Sequence, residues 1–416
     1  MTSVTPVTGN PRTTLPAEPA GPPPGEVFTL SRWFARLSVE SALPELNAFL
    51  TALLGPYFVP TAGADPGAVT VSVRRSPELP NARGDLDTLP RSPQLWLDED
   101  GPRMVVLEHL SDTMVTLRDM EEDSDPVLIS VDRRARVVRL DIAEDTPRAR
   151  RGVVRLVAFL LSAQLHSGGV PVLHGSAVAR DGRAVAVFGD GGSGKSTLAF
   201  LASTLAGWDF VSDDTLLAWD AGPGGPLAVS GAPRRLGIGV GALTGHPARG
   251  RFETHPLRRY GDAPVGPLPT PSADAWSREG RVRLYCDIDE FTAITGTRCA
   301  QHAEPAGIVL PVADPHLSGW TVTADTSGGP VPELEPTSGR GLRYFVDYLG
   351  ILAPRPFDAE GRARVLDGLR RLPRVRVRYG PDVNADFPRF WAEVTGALGL
   401  DGATGSVSGS GAGRSC

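Results

Sequence analysis

The chain has 416 residues, enough for two ordinary domains of about 100–200 residues each. Its 41% hydrophobic and 22% charged content is that of a globular protein, not of a disordered one. A net charge of −6 argues against a phosphate-backbone binder, which carries a basic footprint, so no nucleic-acid partner is expected.

Residues 1–25 are rich in Thr, Pro, Gly and Ala without apolar periodicity and read as a disordered arm, with no apolar core of the signal-peptide kind. Over 27–55 the spacing of Phe28, Leu30, Trp33, Phe34 and Leu37, then of Leu43, Leu46, Phe49 and Leu50, predicts helix. Short β-type runs follow at Val69–Val73, Gln94–Leu97, Met104–Leu107, Met114–Leu117, Val127–Val131 and Val137–Leu140, and they predict a small antiparallel sheet. Residues 26–146 are therefore assigned to a small α+β N-terminal domain whose sequence indicates no role.

Arg148–Gln164 reads as a helix with Val153, Val154, Leu156, Val157, Leu160 and Leu161 turned inward. Its apolar part, Val153–Leu165, is too short to span a bilayer and contains Arg155, so no membrane partner is expected. Val170–Ala179 and Ala184–Phe188 form a hairpin signal around Asp181-Gly182. Strands and helices then alternate, interrupted by Pro/Gly-rich insertions at 221–233, 261–275 and 323–340, lengths that suit lids. A helix near Ala359–Arg371, a strand at Val375–Tyr379 and a helix at Phe387–Leu398 complete a second domain, 147–400. Residues 401–416 read as a flexible tail. Cys286, Cys299 and Cys416 show neither metal spacing nor an even disulfide framework, which fits a reducing, cytoplasmic location.

The most specific motif is Gly189-Asp190-Gly191-Gly192-Ser193-Gly194-Lys195-Ser196, which fits G-x-x-x-x-G-K-[ST] without mismatch. It lies between a buried-strand run, Ala184–Phe188, and a helix pattern, Ser196–Leu205. Such glycines let backbone amides turn inward around phosphates, and the helix N-terminus adds positive potential. Lys195 then reaches the β and γ phosphates of ATP, the Ser196 hydroxyl is placed for Mg²⁺, and Thr197 closes the nucleotide-binding stretch. Of the 42 lysines and arginines, all but one are arginine, and the single lysine is Lys195. A compact ammonium on a flexible stem fits among phosphates where a planar guanidinium does not.

Asp209–Asp214 follows the loop helix and reads as a short strand ending in two carboxylates. Beside a triphosphate, one of Asp213 and Asp214 can hold Mg²⁺ while the other accepts the proton of an attacking hydroxyl. The plain alternative is that either aspartate caps the turn into Thr215–Trp219. His174 sits on the strand before the hairpin. It is either an ordinary strand histidine or a group returned toward the acidic pair.

Taken together, His174–Trp219 resembles the C-terminal catalytic domain of HPr kinase/phosphorylase, which shares its P-loop kinase fold with phosphoenolpyruvate carboxykinase. The family runs His-Gly, hairpin, phosphate loop, helix, then a hydrophobic strand ending in Asp-Asp. By this resemblance the expected fold is an α/β P-loop kinase domain of that type. His174 corresponds to the active-site histidine, and Asp213-Asp214 correspond to the catalytic acidic pair. Arg234 falls on the arginine of the family's Glu-x-Arg-Gly-Leu-Gly-Ile signature, where it would stabilise transferred charge.

Departures from the family are Ala232 at the signature glutamate, Thr197 in place of an acidic residue, no match to the phosphorylase segment, and a different N-terminal half. The resemblance implies an ATP- and Mg²⁺-dependent kinase acting on a serine or threonine of a peptide or protein. Related enzymes tailor peptide natural products. HPr kinases are hexamers, so a homo-oligomer is compatible with the resemblance.

Three other readings are carried alongside. A small-molecule hydroxyl is the alternative acceptor. A motor-type ATPase would need Leu284–Glu290 as its acidic strand. A nucleotide-binding module without transfer is motivated by Ala232 and Thr197. Arg251, Arg258, Arg259 and Arg340 are candidates for contacting an acidic acceptor or phosphate, with solvated surface charge as the plain alternative.

Overall fold

The computed structural model describes residues 26–77, 94–95, 104–109, 111–119, 127–220, 225–233, 235–260, 262–269, 282–335, 347 and 349–400. The expected arm at 1–25, the tail at 401–416, Arg234 and Arg340 lie outside them. The architecture is mixed α/β, built on two large sheets. No helix among the described residues is long and apolar enough to cross a membrane.

The first sheet uses β1 (Val27–Arg32), β2 (Ala35–Ser41), β3 (Val59–Ala62), β4 (Val69–Arg75), β5 (Gln94–Leu95), β6 (Met104–His109), β7 (Met114–Asp119), β8 (Val127–Asp132) and β9 (Val137–Ile142). Their order is β3-β1-β2-β4-β9-β8-β7-β6-β5. The helix expected at the start is instead the β1–β2 hairpin. Arg32 pairs with Ala35 across a two-residue turn, and Trp33 adopts φ +54°. Phe28, Leu30, Leu37 and Val39 alternate onto one buried face, so two facing strands imitated a helical stripe. Helix begins only at α1 (Pro44–Leu54), where proline occupies the first turn and Leu46, Leu50 and Leu54 are buried. The sheet is also mixed, not purely antiparallel, because β4 runs parallel to both β2 and β9.

The long helix α2 (Pro147–Ser167) starts at Thr146, whose hydroxyl accepts from the Ala149 amide at 3.1 Å. Its Val153, Leu156, Val157, Leu160 and Leu161 join one core with the first sheet. Full burial of such side chains contributes about 1.5–3 kcal/mol each. This helix, assigned from sequence to the second domain, shares that core with the first sheet and also with Val170, Val172, Leu217 and Ala232.

The second sheet has β10 (Val172–Arg180), β11 (Arg183–Phe188), β12 (Asp209–Ser212), β13 (Thr215–Asp220) and β14 (Leu227–Gly231). The pair β15 (Leu236–Gly239) and β18 (Arg283–Cys286) forms a separate ladder, as does the pair β16 (Pro256–Leu257) and β17 (Ala263–Pro264). β19 (Glu304–Ala313), β20 (Trp320–Ala324) and β21 (Arg374–Tyr379) complete the sheet, in the order β14-β13-β10-β11-β19-β21-β20 with β12 also on β10. The expected hairpin turn is present, with Asp181 and Gly182 both at positive φ. The expected insertion at 221–233 is part strand, because β14 pairs with β13.

β11, β19 and β21 run parallel, and helices α3 (Lys195–Leu205) and α7 (Phe387–Ala397) share a core with them. Shorter helices α4 (Arg249–Thr254) and α5 (Ile288–Thr295) add Phe252, Phe291 and Ile294 to that core. Helix α6 (Ala359–Arg370) covers a third cluster with Val365, Leu366 and Leu369.

Candidate phosphate-binding and acid–base site

In open α/β sheets, ligands bind beyond the carboxyl ends of the parallel strands, where loops and helix N-termini converge. The loop Gly189–Gly194 occupies that place, between the end of β11 and the start of α3. Each of the two neighbouring parallel strands secures it from its own carboxyl end. The Ala313 amide, ending β19, donates to the Ser193 carbonyl at 2.9 Å. The Tyr379 hydroxyl, ending β21, donates to the Gly194 carbonyl at 3.2 Å. Gly194 has φ +103°, and a Cβ there would lie 2.0 Å from the Tyr379 hydroxyl, so position 194 tolerates no side chain.

Lys195 is buried, and its Nζ donates to the carbonyls of Gly189 at 2.6 Å and Asp190 at 3.0 Å, which keeps the ammonium inside the loop's concavity. Asp190 and Gly191 form the exposed rim, while Gly189, Gly192 and Ser193 are half-buried. The Ser193 hydroxyl is buried with no hydrogen-bond partner among the described residues. An orphaned hydroxyl beside a buried ammonium at a helix N-terminus fits the phosphates of a nucleotide. Ser196 and Thr197 follow in the first turn of α3, both half-buried.

The acidic pair owes its position to the double pairing of β10. The carboxyl half of that strand pairs with β12, Ala177 opposite Ser212, while its amino half pairs with β13, His174 opposite Thr215. Asp213 and Asp214 are the break between the two, so they lie against His174, Gly175 and Ser176. Gly175 leaves room for β11 on its other side, since a Cβ there would meet the Phe188 ring at 2.6 Å. Asp214 adopts φ +68°, uncommon for a residue with a side chain, and its carbonyl accepts from the Gly175 amide at 3.2 Å.

The two carboxylates face different partners. Asp213 accepts hydrogen bonds from the Ser176 hydroxyl at 3.2 Å and from the Gly237 amide at 3.2 Å, and the Ser196 hydroxyl lies close by. Burial, helped by the charge of Asp214, raises its carboxyl above the usual range, and those hydrogen bonds oppose the rise. Asp214 instead pairs with the Nδ1 of His174 at 3.1 Å. The structure thus joins His174, Ser196, Asp213 and Asp214 in one chain of contacts running from the phosphate loop to the strand β10.

Hard oxygen ligands of this kind suit Mg²⁺, which is commonly held by one or two carboxylates and substrate phosphates. Among the described residues, no group of three or more His, Cys, Asp and Glu side chains is gathered as a metal cage. Ala232, which the sequence resemblance sets against a signature glutamate, is buried, and its amide donates to the Thr215 carbonyl at 3.3 Å. An apolar residue thus adjoins the strand that leaves the acidic pair.

The candidate acidic strand Leu284–Glu290 behaves differently. Among the described residues β18 pairs with β15 alone, outside the main sheet. Asp287 and Glu290 make a capping box at the start of α5, and Glu290 accepts from the amides of Asp287 at 2.8 Å and Arg258 at 2.7 Å. Ser176, Gly237 and Tyr379 were not singled out from sequence. Ser176, next to the His-Gly step, and Gly237, in the signature-like stretch after Arg234, carried a local signal. Comparison with protein-family models finds no match, and comparison with curated proteins finds none either.

Proposed function

We propose that this chain is an ATP-dependent kinase of the HPr kinase/phosphoenolpyruvate carboxykinase fold type, transferring the γ-phosphoryl group to a hydroxyl, foremost a serine or threonine of a peptide or protein. The observation that carries this reading is the division of the acidic pair: Asp213 is held by Ser176 and the Gly237 amide with the loop serine, Ser196, close by, and Asp214 pairs with His174. A kinase needs a second carboxylate beside the one that holds Mg²⁺, to take the proton of the acceptor.

Ser196 and Asp213 would hold Mg²⁺, which neutralises charge on the β and γ phosphates when bound. Lys195 and the loop amides orient the triphosphate. Asp214, steadied by His174, accepts the proton of the acceptor hydroxyl as its oxygen bonds to the γ-phosphorus. The bond from that phosphorus to the bridging oxygen breaks, and ADP leaves with the electron pair. Positioning and electrostatic stabilisation supply most of such catalysis, so a small set of groups suffices.

The test is intact-mass analysis of candidate peptides and small hydroxyl compounds incubated with protein, ATP and Mg²⁺. The expected result is the gain of one phosphate on an acceptor, abolished in Lys195→Ala. Phosphate release to water alone, unchanged by any acceptor, overturns the proposal. Transfer only to small compounds would reassign the acceptor within the same chemistry.

A further inference from the structure

A second polar group lies near Asp287 and Glu290, and no step above uses it. Arg151, in the first half of α2, is 6% exposed, and none of its three guanidinium nitrogens has a hydrogen-bond partner among the described residues. A guanidinium carries five N–H donors, and burying them unpaired is costly unless an acceptor reaches them. Two more arginines share its surroundings, Arg235 just before β15 and Arg259 between β16 and β17. Both lie over the ring of Tyr285, at 5.5 Å and 4.6 Å from its centre.

The carboxylates in this neighbourhood already have partners. Asp287 and Asp289 pair with Arg258, and Glu290 is bonded to two backbone amides. Burial pulls Arg151 down to about 10 against the attraction of Asp287, so it remains a cation at neutral pH.

The ladder fixes where this arginine group sits. Tyr285 pairs with Gly237, and the Gly237 amide is the donor that holds Asp213. Along β15 and β18, Leu236, Ile238, Leu284 and Cys286 enter the core, while Gly237 and Tyr285 take the more open face. The arginines over Tyr285 are therefore one strand pair away from the carboxylates.

We propose that Arg151, Arg235 and Arg259 form a seat for an oxyanion carried by the acceptor, so that the substrate is a hydroxyl compound bearing a nearby carboxylate or phosphate. This rests on the kinase reading for the word acceptor, while the seat itself stands on the arginine geometry. Three crowded guanidinium groups repel one another, and an oxyanion relieves that repulsion while supplying the acceptors that Arg151 lacks. Its arrival fixes the neighbouring hydroxyl of the same molecule beside Asp214.

The experiment is calorimetric titration of phenyl phosphate and, separately, phenylacetate into full-length protein saturated with Mg²⁺ and the non-hydrolysable analogue AMP-PNP. With the loop filled, one of the two is expected to bind, and the tighter names the source of the charge. Arg151→Gln and Arg259→Gln are each expected to weaken that binding by about tenfold or more, with AMP-PNP affinity held within about twofold. Arg259 is half-buried on a short connection, so its variant serves even where Arg151→Gln fails to fold.

Binding of neither anion to the wild type, or equal binding to both folded variants, overturns the seat. A parallel loss of AMP-PNP affinity overturns it too, by returning the arginines to the nucleotide. Failure of AMP-PNP to bind the wild type would sink the kinase reading instead, and the same anion titration without nucleotide would still judge the seat.

Discussion

Two acidic runs in this molecule look alike on paper: Asp213-Asp214 after β12, and Asp287–Glu290 after β18. In both, burial raises carboxyl groups above their usual range, Asp213 in the first and Asp287 and Glu290 in the second. What separates them is where their hydrogen-bonding capacity goes. In the second run it is spent on structure: the capping box of α5 and ion pairs to Arg258. In the first, the partners are a strand serine, one amide and a histidine, with the loop serine close by and Asp214 held in a left-handed backbone conformation. A buried carboxylate is a functional candidate when its partners are themselves part of a ligand site, and a structural one when they are helix ends and paired arginines.

The largest effect that would break this contrast is kinetic. Asp214→Asn is expected to lower phosphotransfer about 10²–10⁴-fold, the usual contribution of a positioned base, while Glu290→Gln stays within about tenfold. Comparable losses in the two variants would erase the distinction. Next comes His174→Gln, expected to cost about tenfold in kcat with little change in the KM for ATP, read from initial rates across pH. An unchanged kcat would remove His174 from the site.

Stability gives the mirror image. Asp287→Ala removes a helix cap and a partner of Arg258 and is expected to lower the unfolding free energy by about 1–2 kcal/mol in urea denaturation. The smallest effect has the opposite sign. The folded-state value of Asp213 lies above the unfolded one, so its contribution to stability is intact below the ordinary aspartate range and is lost as pH rises through the folded value. Asp213→Asn is therefore expected to raise Tm at pH 7–8, with the gain shrinking as pH falls toward about 4. A lower Tm for Asp213→Asn at neutral pH would put Asp213 with the structural carboxylates.

Much of the site was legible because its chemistry is local in sequence. The loop, its flanking strand and helix, and the Asp-Asp step all fall within Ala184–Asp214, and the hairpin turn at Asp181-Gly182 has its own signature. The helix expected over residues 27–55 failed in its first part for a definable reason. Leu30, Trp33, Phe34 and Leu37 have helical spacing, and the turn at Trp33 uses positive φ without the Gly or Asn that would have marked it. The parallel pairing of β4 and the double pairing of β10 are long-range facts that no window of sequence carries. Arg151 has no local signal either, and only tertiary packing buries it. Arg234 lies outside the described residues, beside an Arg235 that the structure places over Tyr285.

The bond from the Ala313 amide to the Ser193 carbonyl has a consequence for exchange with solvent deuterium. That N–H closes a strand end onto the phosphate loop, so its proton is released when the loop lifts, without any need for the sheet to unzip. A strand residue outside the motif thus carries the opening rate of the loop in its own exchange, and a bound triphosphate would slow it while leaving the interior of the same strand unaffected.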